Sequence, residues 1–208
     1  MKKILIAIPC MDQVPAAFAC SLAMLKKIYS CTLTMKIGSL VYTARNDITK
    51  MALEGDYDFV MWFDSDMVFP PETLERLMKT LEDNDYDMVT GLYFRRVPPY
   101  TPVLFDLLEF AGDVCKWSEF ETIPDKPFEV GGCGFGCLLM KTDVFFDLVN
   151  DYSNMFTPVG SNGEDVAFCI RAREKGYKIY CDPSVICGHV GYSVIDDKFF
   201  RAFSRKEE

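Results

Sequence analysis

Two carboxylates one residue apart, Asp64 and Asp66 with Ser65 between them, stand directly behind the apolar run 57–63, where a buried strand would surface. The chain's only histidine, His189, lies far downstream. Carboxylate oxygens suit hard divalent cations and a neutral imidazole suits a transition ion such as Mn²⁺. Mg²⁺ or Mn²⁺ is commonly held by few protein ligands together with substrate phosphates. Asp64, Asp66 and His189 are therefore candidate metal ligands, and a shell they fill only in part implies a phosphorylated substrate that completes it. The plainer alternatives are loop carboxylates ahead of a helix, favoured by the helix dipole, and a histidine that is simply hydrogen-bonded or acts as a general base.

A phosphate-bearing ligand would need such a metal, because the net charge is -9. Nucleic-acid backbones and anionic lipid are held by Lys and Arg, so neither is expected as a principal partner. With 50% hydrophobic and 14% aromatic residues the chain is too apolar for disorder, and 208 residues suit one domain with a full core. No apolar stretch approaches the roughly 18 residues of a membrane span. The opening segment is too short for a signal-peptide core, so a cytoplasmic protein without an integral membrane segment is expected. Nine cysteines, an odd number in a chain without that signal, are expected to be reduced core residues rather than disulfide partners, and a single histidine argues against structural zinc.

The elements that must carry these residues follow from periodicity. Residues 3–9 suit a buried strand, 15–29 a helix with Phe18, Leu22 and Leu25 on one side, 32–37 a strand, 42–53 a helix ending at Gly55, and 58–63 a third strand. Pro70 and Pro71 open a helix over 72–82, whose Leu74, Leu77, Met78 and Leu81 share a face, and 87–93 is again a strand. This alternation indicates a parallel α/β sheet. Residues 95–102 are a Pro-rich surface loop, 107–128 short strand-like pieces, and 137–140 an apolar strand. Thr142 is placed to cap a helix over 143–149, 151–163 is a loop, 164–175 a helix closed by Gly176, and 178–181 a strand. Ligands of open α/β sheets bind where strands end, which is where Asp64 and Asp66 are placed. The glycine cluster 131–136 fits neither a Walker loop, since Cys137 stands where Lys is required, nor GxGxxG.

Several features occur in a familiar order: a first strand ending in Pro9, Ala44-Arg45-Asn46 opening a helix, Asp64-Ser65-Asp66 behind an apolar strand, a glycine-rich segment before a strand, Glu164-Asp165 starting a helix, and a late His189. Together they resemble the GT-A glycosyltransferases, most nearly the family 2-like group, over most of the chain. The resemblance implies a GT-A (Rossmann-like) fold of α/β class, an open, mostly parallel twisted sheet flanked by helices in one domain. Residues 1–105 would be its nucleotide-binding half and 106–208 its acceptor and catalytic half. It implies transfer of a single sugar from a UDP- or GDP-sugar to a hydroxyl of a glycan or small molecule, with Mn²⁺ or Mg²⁺ bridging the diphosphate. Asp66 maps to the direct metal ligand, Asp64 to a contact with ribose or metal-bound water, His189 to a completing ligand, and Asp165, beside Glu164, to the base of inverting members. Pro9, Asp12, Arg45, Asn46, Asp64, Ser65 and Gly132 map to the donor side. The chain departs from the pattern in reading Lys36-Ile37-Gly38-Ser39 where paired aspartates often recognise the base, and it lacks the Gln-x-x-Arg-Trp motif of processive synthases.

Each assignment has a plainer counterpart. Ser161-x-x-Glu164 matches a capping box, which leaves Asp165 the freer carboxylate, itself open to a dipole-stabilising role. Arg45 offers phosphate a planar fork or is an exposed helix start. The glycines 131–136 let backbone approach a donor or acceptor, or form turns. Tyr93, Arg95 and Arg96 with the neighbouring prolines suggest an acceptor-side loop. Rival readings are a non-catalytic sugar-nucleotide or glycan-binding module, and a sugar-phosphate nucleotidyltransferase, against which stands the lack of a glycine-rich Arg/Lys loop after the first strand. A dehalogenase-like phosphatase carries Asp-x-Asp after its first strand, not its third.

Overall fold

The apolar N-terminal run forms β1 (Lys3–Cys10), buried at every position after Lys3. In the computed structural model, which describes residues 2–111, 114–160 and 162–191, it is followed by α1 (Ala16–Met24), β2 (Ser30–Ile37), α2 (Val41–Glu54), β3 (Phe59–Phe63), β4 (Met67–Val68), α3 (Thr73–Asp83) and β5 (Met88–Leu92). Then come β6 (Leu104–Phe105), β7 (Leu107–Ala111), β8 (Val114–Ser118), β9 (Phe128–Val130), β10 (Gly132–Cys133) and β11 (Cys137–Lys141). The chain continues through α4 (Asp143–Leu148), α5 (Glu164–Glu174), β12 (Ile179–Ile186) and β13 (Gly188–His189).

Seven strands make the central sheet in the order β2-β1-β3-β11-β5-β12-β9. Pairings of β1 with β2 and β3, and of β12 with β5, are parallel, whereas β11 runs antiparallel to both β3 and β5 and β9 antiparallel to β12. The sheet is thus mostly parallel with two reversed strands, an α/β fold flanked by helices. Reversal of β11 was not legible from its composition, since a buried strand reads as an unbroken apolar run in either direction.

Alternation along β1 divides the core in two. Leu5 and Ala7 pack with Trp62, with Ile48 and Ala52 of α2, with Val144, Phe145 and Leu148 of α4 and with Phe168 of α5. Ile4, Ile6 and Ile8 pack on the other face with Phe18 of α1 and Leu74, Leu77, Met78 and Leu81 of α3. The period of two sends successive side chains to opposite helical layers, and burial of each large side chain contributes about 1.5–3 kcal/mol. The nine cysteines are free thiols; six are buried, but Cys20 on α1 is exposed, so not all of them are core residues.

Three local expectations are corrected. Helix α1 stops at Met24, where Leu25 turns extended and the Lys26 amide donates to Pro71 O at 2.9 Å, so 25–29 is not helical. Thr142 precedes α4 without making a side-chain cap, and its hydroxyl is buried without a partner. Strand β12 does not end at Cys181 but passes Pro183 to Ile186 through a register shift after Asp182. Asp182 stabilises that irregularity, accepting from the Ser184 amide at 2.9 Å and from Thr80 Oγ1 at 2.6 Å. Proline is tolerated in a strand at such a bulge. Among the described residues no helix is long and apolar enough to cross a membrane.

Candidate active site

Strand β3 ends at Phe63, and the chain turns at once: the Asp64 amide donates to Gly136 O at 3.2 Å and Met67 N–H returns to Asp64 O at 3.2 Å. This turn holds Asp64, Ser65 and Asp66 at the carboxyl edge of the sheet, next to Pro9 and Cys10 at the end of β1. The irregularity in β12 lets the chain run on past β5 to β13, which pairs antiparallel with β4 and sets His189 opposite Met67. Val190 N–H then donates to Asp66 O at 2.8 Å. In this way residues 66 and 189 become neighbours through two very short strands.

His189 Nδ1 lies 2.9 Å from Phe94 O, and since a carbonyl only accepts, Nδ1 carries the proton and Nε2 faces Asp66 Oδ2 at 3.5 Å. The bond that protonated Nε2 donates to Asp66 raises the histidine pKa above its ordinary value, against burial. Burial by itself would raise that of Asp66, but the bond with His189, the charge of His189 and that of Arg96, which is ion-paired to the same Oδ2, hold it below the usual carboxylate value. Among the described residues no three His, Cys, Asp or Glu side chains form a metal cage. A carboxylate oxygen and an imidazole nitrogen at 3.5 Å, with the far ring nitrogen anchored to a carbonyl, nevertheless suit two adjacent positions of a Mn²⁺ or Mg²⁺ shell completed by phosphate and water. His189→Ala is expected to weaken Mn²⁺ binding about tenfold or more, the loss typical of disturbing even an outer-shell partner, while leaving acceptor binding intact; an unchanged Mn²⁺ titration would reject the ligand role.

Arg45 lies in the second turn of α2 and is not an exposed helix start. Its side chain is only 2% exposed, its Nη2 donates to Asp64 Oδ1 at 2.7 Å and its Nε to Glu164 Oε1 at 3.1 Å. The guanidinium lies 5.4 Å from the Trp62 ring and 5.1 Å from that of Phe135, within cation–π range. Burial lowers its tendency to stay charged, and Asp64 and Glu164 more than restore it. Glu164 begins α5 behind Gly163, with no side-chain cap there; Ser161 of the expected capping box lies outside the described residues. Asp165 accepts from the Val166 amide at 2.8 Å. Burial, and next the charge of Glu164, push its pKa from 3.8 up to about 6, although the Val166 amide and Arg45 oppose the rise.

An open cleft of about 280 Å³ gathers Pro9, Arg45, Asp64, Ser65, Asp66, Glu164, Asp165 and His189. Asp12, Asn46 and Gly132 are not among its lining residues. Asp12 is exposed, and Asn46 turns inward, its Oδ1 accepting from the Phe156 amide at 3.0 Å. Gly132 is buried, where a methyl group would come within 2.5 Å of Leu108. The glycine-rich segment admits protein rather than ligand. At Gly134 a methyl group would lie 2.1 Å from the Tyr93 hydroxyl, and the Gly136 amide donates to that hydroxyl at 3.0 Å. Tyr93 is accordingly buried, whereas Arg96 of the same segment lines the cleft. Cys10, Met11, Ser39 and Val41 also line it. They were missed because apolar and hydroxyl side chains at strand ends carry no pattern of their own, yet Ser39 Oγ is buried there without a protein partner.

The model of glycosyl transferase family 2 matches residues 33–148, more than half of the chain. Among solved structures, A197 from STIV is similar with a TM-score of 0.64 and 21% identity, over 92% of this chain and 87% of that one. GalNAc-T7, solved with UDP, GalNAc and Mn²⁺, is similar with a TM-score of 0.62 and 10% identity, over 92% of this chain and 44% of that one. These likenesses place the fold among GT-A structures. No curated protein matches the sequence significantly.

Proposed function

The chain belongs to glycosyl transferase family 2, and from that premise we propose that it moves a single sugar from a UDP- or GDP-sugar to a hydroxyl of a glycan or small-molecule acceptor, with Mn²⁺ or Mg²⁺ bound. The observation that carries this reading is that one cleft is lined both by the Asp66–His189 pair and by Asp165, whose pKa of about 6 suits a proton acceptor near neutrality. The presence of UDP and Mn²⁺ with the similarly folded GalNAc-T7 favours these over other nucleotides and ions.

Asp66 and His189 would hold the ion, and Asp64 and Ser65 would face the ribose side. The ion, when bound, neutralises charge developing on the departing diphosphate. Asp165 takes the proton of the acceptor hydroxyl as its oxygen bonds to the anomeric carbon and the bond to the diphosphate breaks, a displacement that inverts configuration. Arg45 does not reach for phosphate; its guanidinium is ion-paired to Asp64 and Glu164 and fixes both carboxylates at the cleft.

A thermal-shift series with UDP- and GDP-sugars, each with Mn²⁺, Mg²⁺ or chelator, tests the proposal, since a ligand selective for the folded state raises its stability by mass action. A rise with one nucleotide that disappears with chelator is expected. Such a rise without donor hydrolysis or transfer would identify a binding module, and no rise with any donor would overturn the reading.

A further inference from the structure

We infer that Arg96 is a built-in competitor for the metal position, occupying Asp66 until a metal-bound nucleoside diphosphate offers the guanidinium another anion. This rests on the metal-dependent reading above. Asp66 Oδ2 is shared by Arg96 and His189, so an ion ligated by that oxygen and by His189 Nε2 must take the place the Arg96 guanidinium uses. Arg96 is free to leave: its side chain is 48% exposed, against 2% for Arg45. The hairpin that carries it is closed behind it by Arg95 N–H to Thr101 O at 2.9 Å and Val103 N–H to Tyr93 O at 3.0 Å. Its backbone can therefore stay in place while the side chain swings.

Arg96 also lies between two cavities. It lines the cleft with Asp66 and Asp165, and it lines a second hollow of about 300 Å³ with Phe94, Arg95 and Tyr100, His189 being common to both. A side chain released from Asp66 stays within reach of the cleft that would hold the diphosphate, and Arg offers phosphate a planar bidentate fork. Metal alone must break the Arg96–Asp66 pair with nothing in return. Metal with a nucleoside diphosphate replaces that pair by an Arg–phosphate pair. Linkage then requires each to tighten the other.

Calorimetric titration of Mn²⁺ into the full chain, with and without UDP and with GDP as a parallel arm, tests this on wild type and on Arg96→Gln. The variant should bind Mn²⁺ alone about two- to fivefold more tightly, the scale of a partly exposed ion pair, and UDP or GDP should enhance its Mn²⁺ affinity less than it does for wild type. Weaker Mn²⁺ binding by the variant would overturn the proposal in favour of an Arg96 that merely orients Asp66. Unchanged Mn²⁺ affinity would equally overturn it, while leaving the metal site itself standing. Failure of both proteins to bind Mn²⁺, with or without nucleotide, would overturn the metal-dependent reading and this inference with it.

Discussion

Asp165→Asn is expected to lower turnover by about 10²- to 10⁴-fold, the usual contribution of a positioned general base, while the stabilisation produced by donor and Mn²⁺ persists. A loss under tenfold would reject Asp165 as the base. The wild-type pH profile supplies a second check. With a pKa near 6, the carboxylate accepts a proton only once it is ionised, so kcat/KM should fall as pH drops below about 6 and level off above it. Stability should move the other way. The folded value lies above the ordinary 3.8, so the fold binds this proton more tightly than the unfolded chain does. The resulting stabilisation is complete below pH 4 and is lost as pH rises through 6. Asn carries no charge to bury, so the variant should melt higher than wild type at pH 8 and should lose that advantage at pH 4.

Arg45→Met should be the most destabilising single change at the site. Removing one partner of a buried charge network leaves the others uncompensated, at about 3–5 kcal/mol. In a domain of this size each kcal/mol corresponds to about 2–4 °C in melting temperature, so a fall of about 6–20 °C is expected in differential scanning calorimetry. Arg45→Lys should recover only part, because one ammonium cannot serve Asp64 and Glu164 with the divergent donors of a guanidinium. If the instability comes from Asp64 and Glu164 left facing each other, adding Asp64→Asn and Glu164→Gln to Arg45→Met should restore much of it. A triple variant no more stable than Arg45→Met would place the loss instead in the packing of Arg45 against Trp62 and Phe135.

The residues that line the cleft were legible where position or singularity marked them. Asp64, Asp66, Asp165 and the lone His189 stood out because carboxylates at strand and helix ends, and a single imidazole, have few other reasons to be there. Arg45 was legible as important but not as buried: its two carboxylate partners lie 19 and 119 residues away, and three aromatic rings of distant segments close over it. Two-residue strands such as β4 and β13 lie below any periodicity. The strand expected over 178–181 was too short because the sequence does not announce the bulge that carries it past Pro183. The glycines 134 and 136 looked like a ligand cradle, and only the position of Tyr93 shows which group they admit.

The 119-residue interval between Arg45 and Glu164 also bears on how the protein is made. On a ribosome, Arg45 and Trp62 emerge long before Phe135, Phe145 and Phe156, the rings that pack on Trp62. Until those segments appear, β1 and β3 present an uncovered apolar face with a half-neutralised cation in it, the kind of surface that nascent chains lose to aggregation or lend to chaperones. Ribosome-stalled chains ending near residue 110 should therefore resist compaction, and protease protection should arise in one late step once α5 has cleared the exit tunnel.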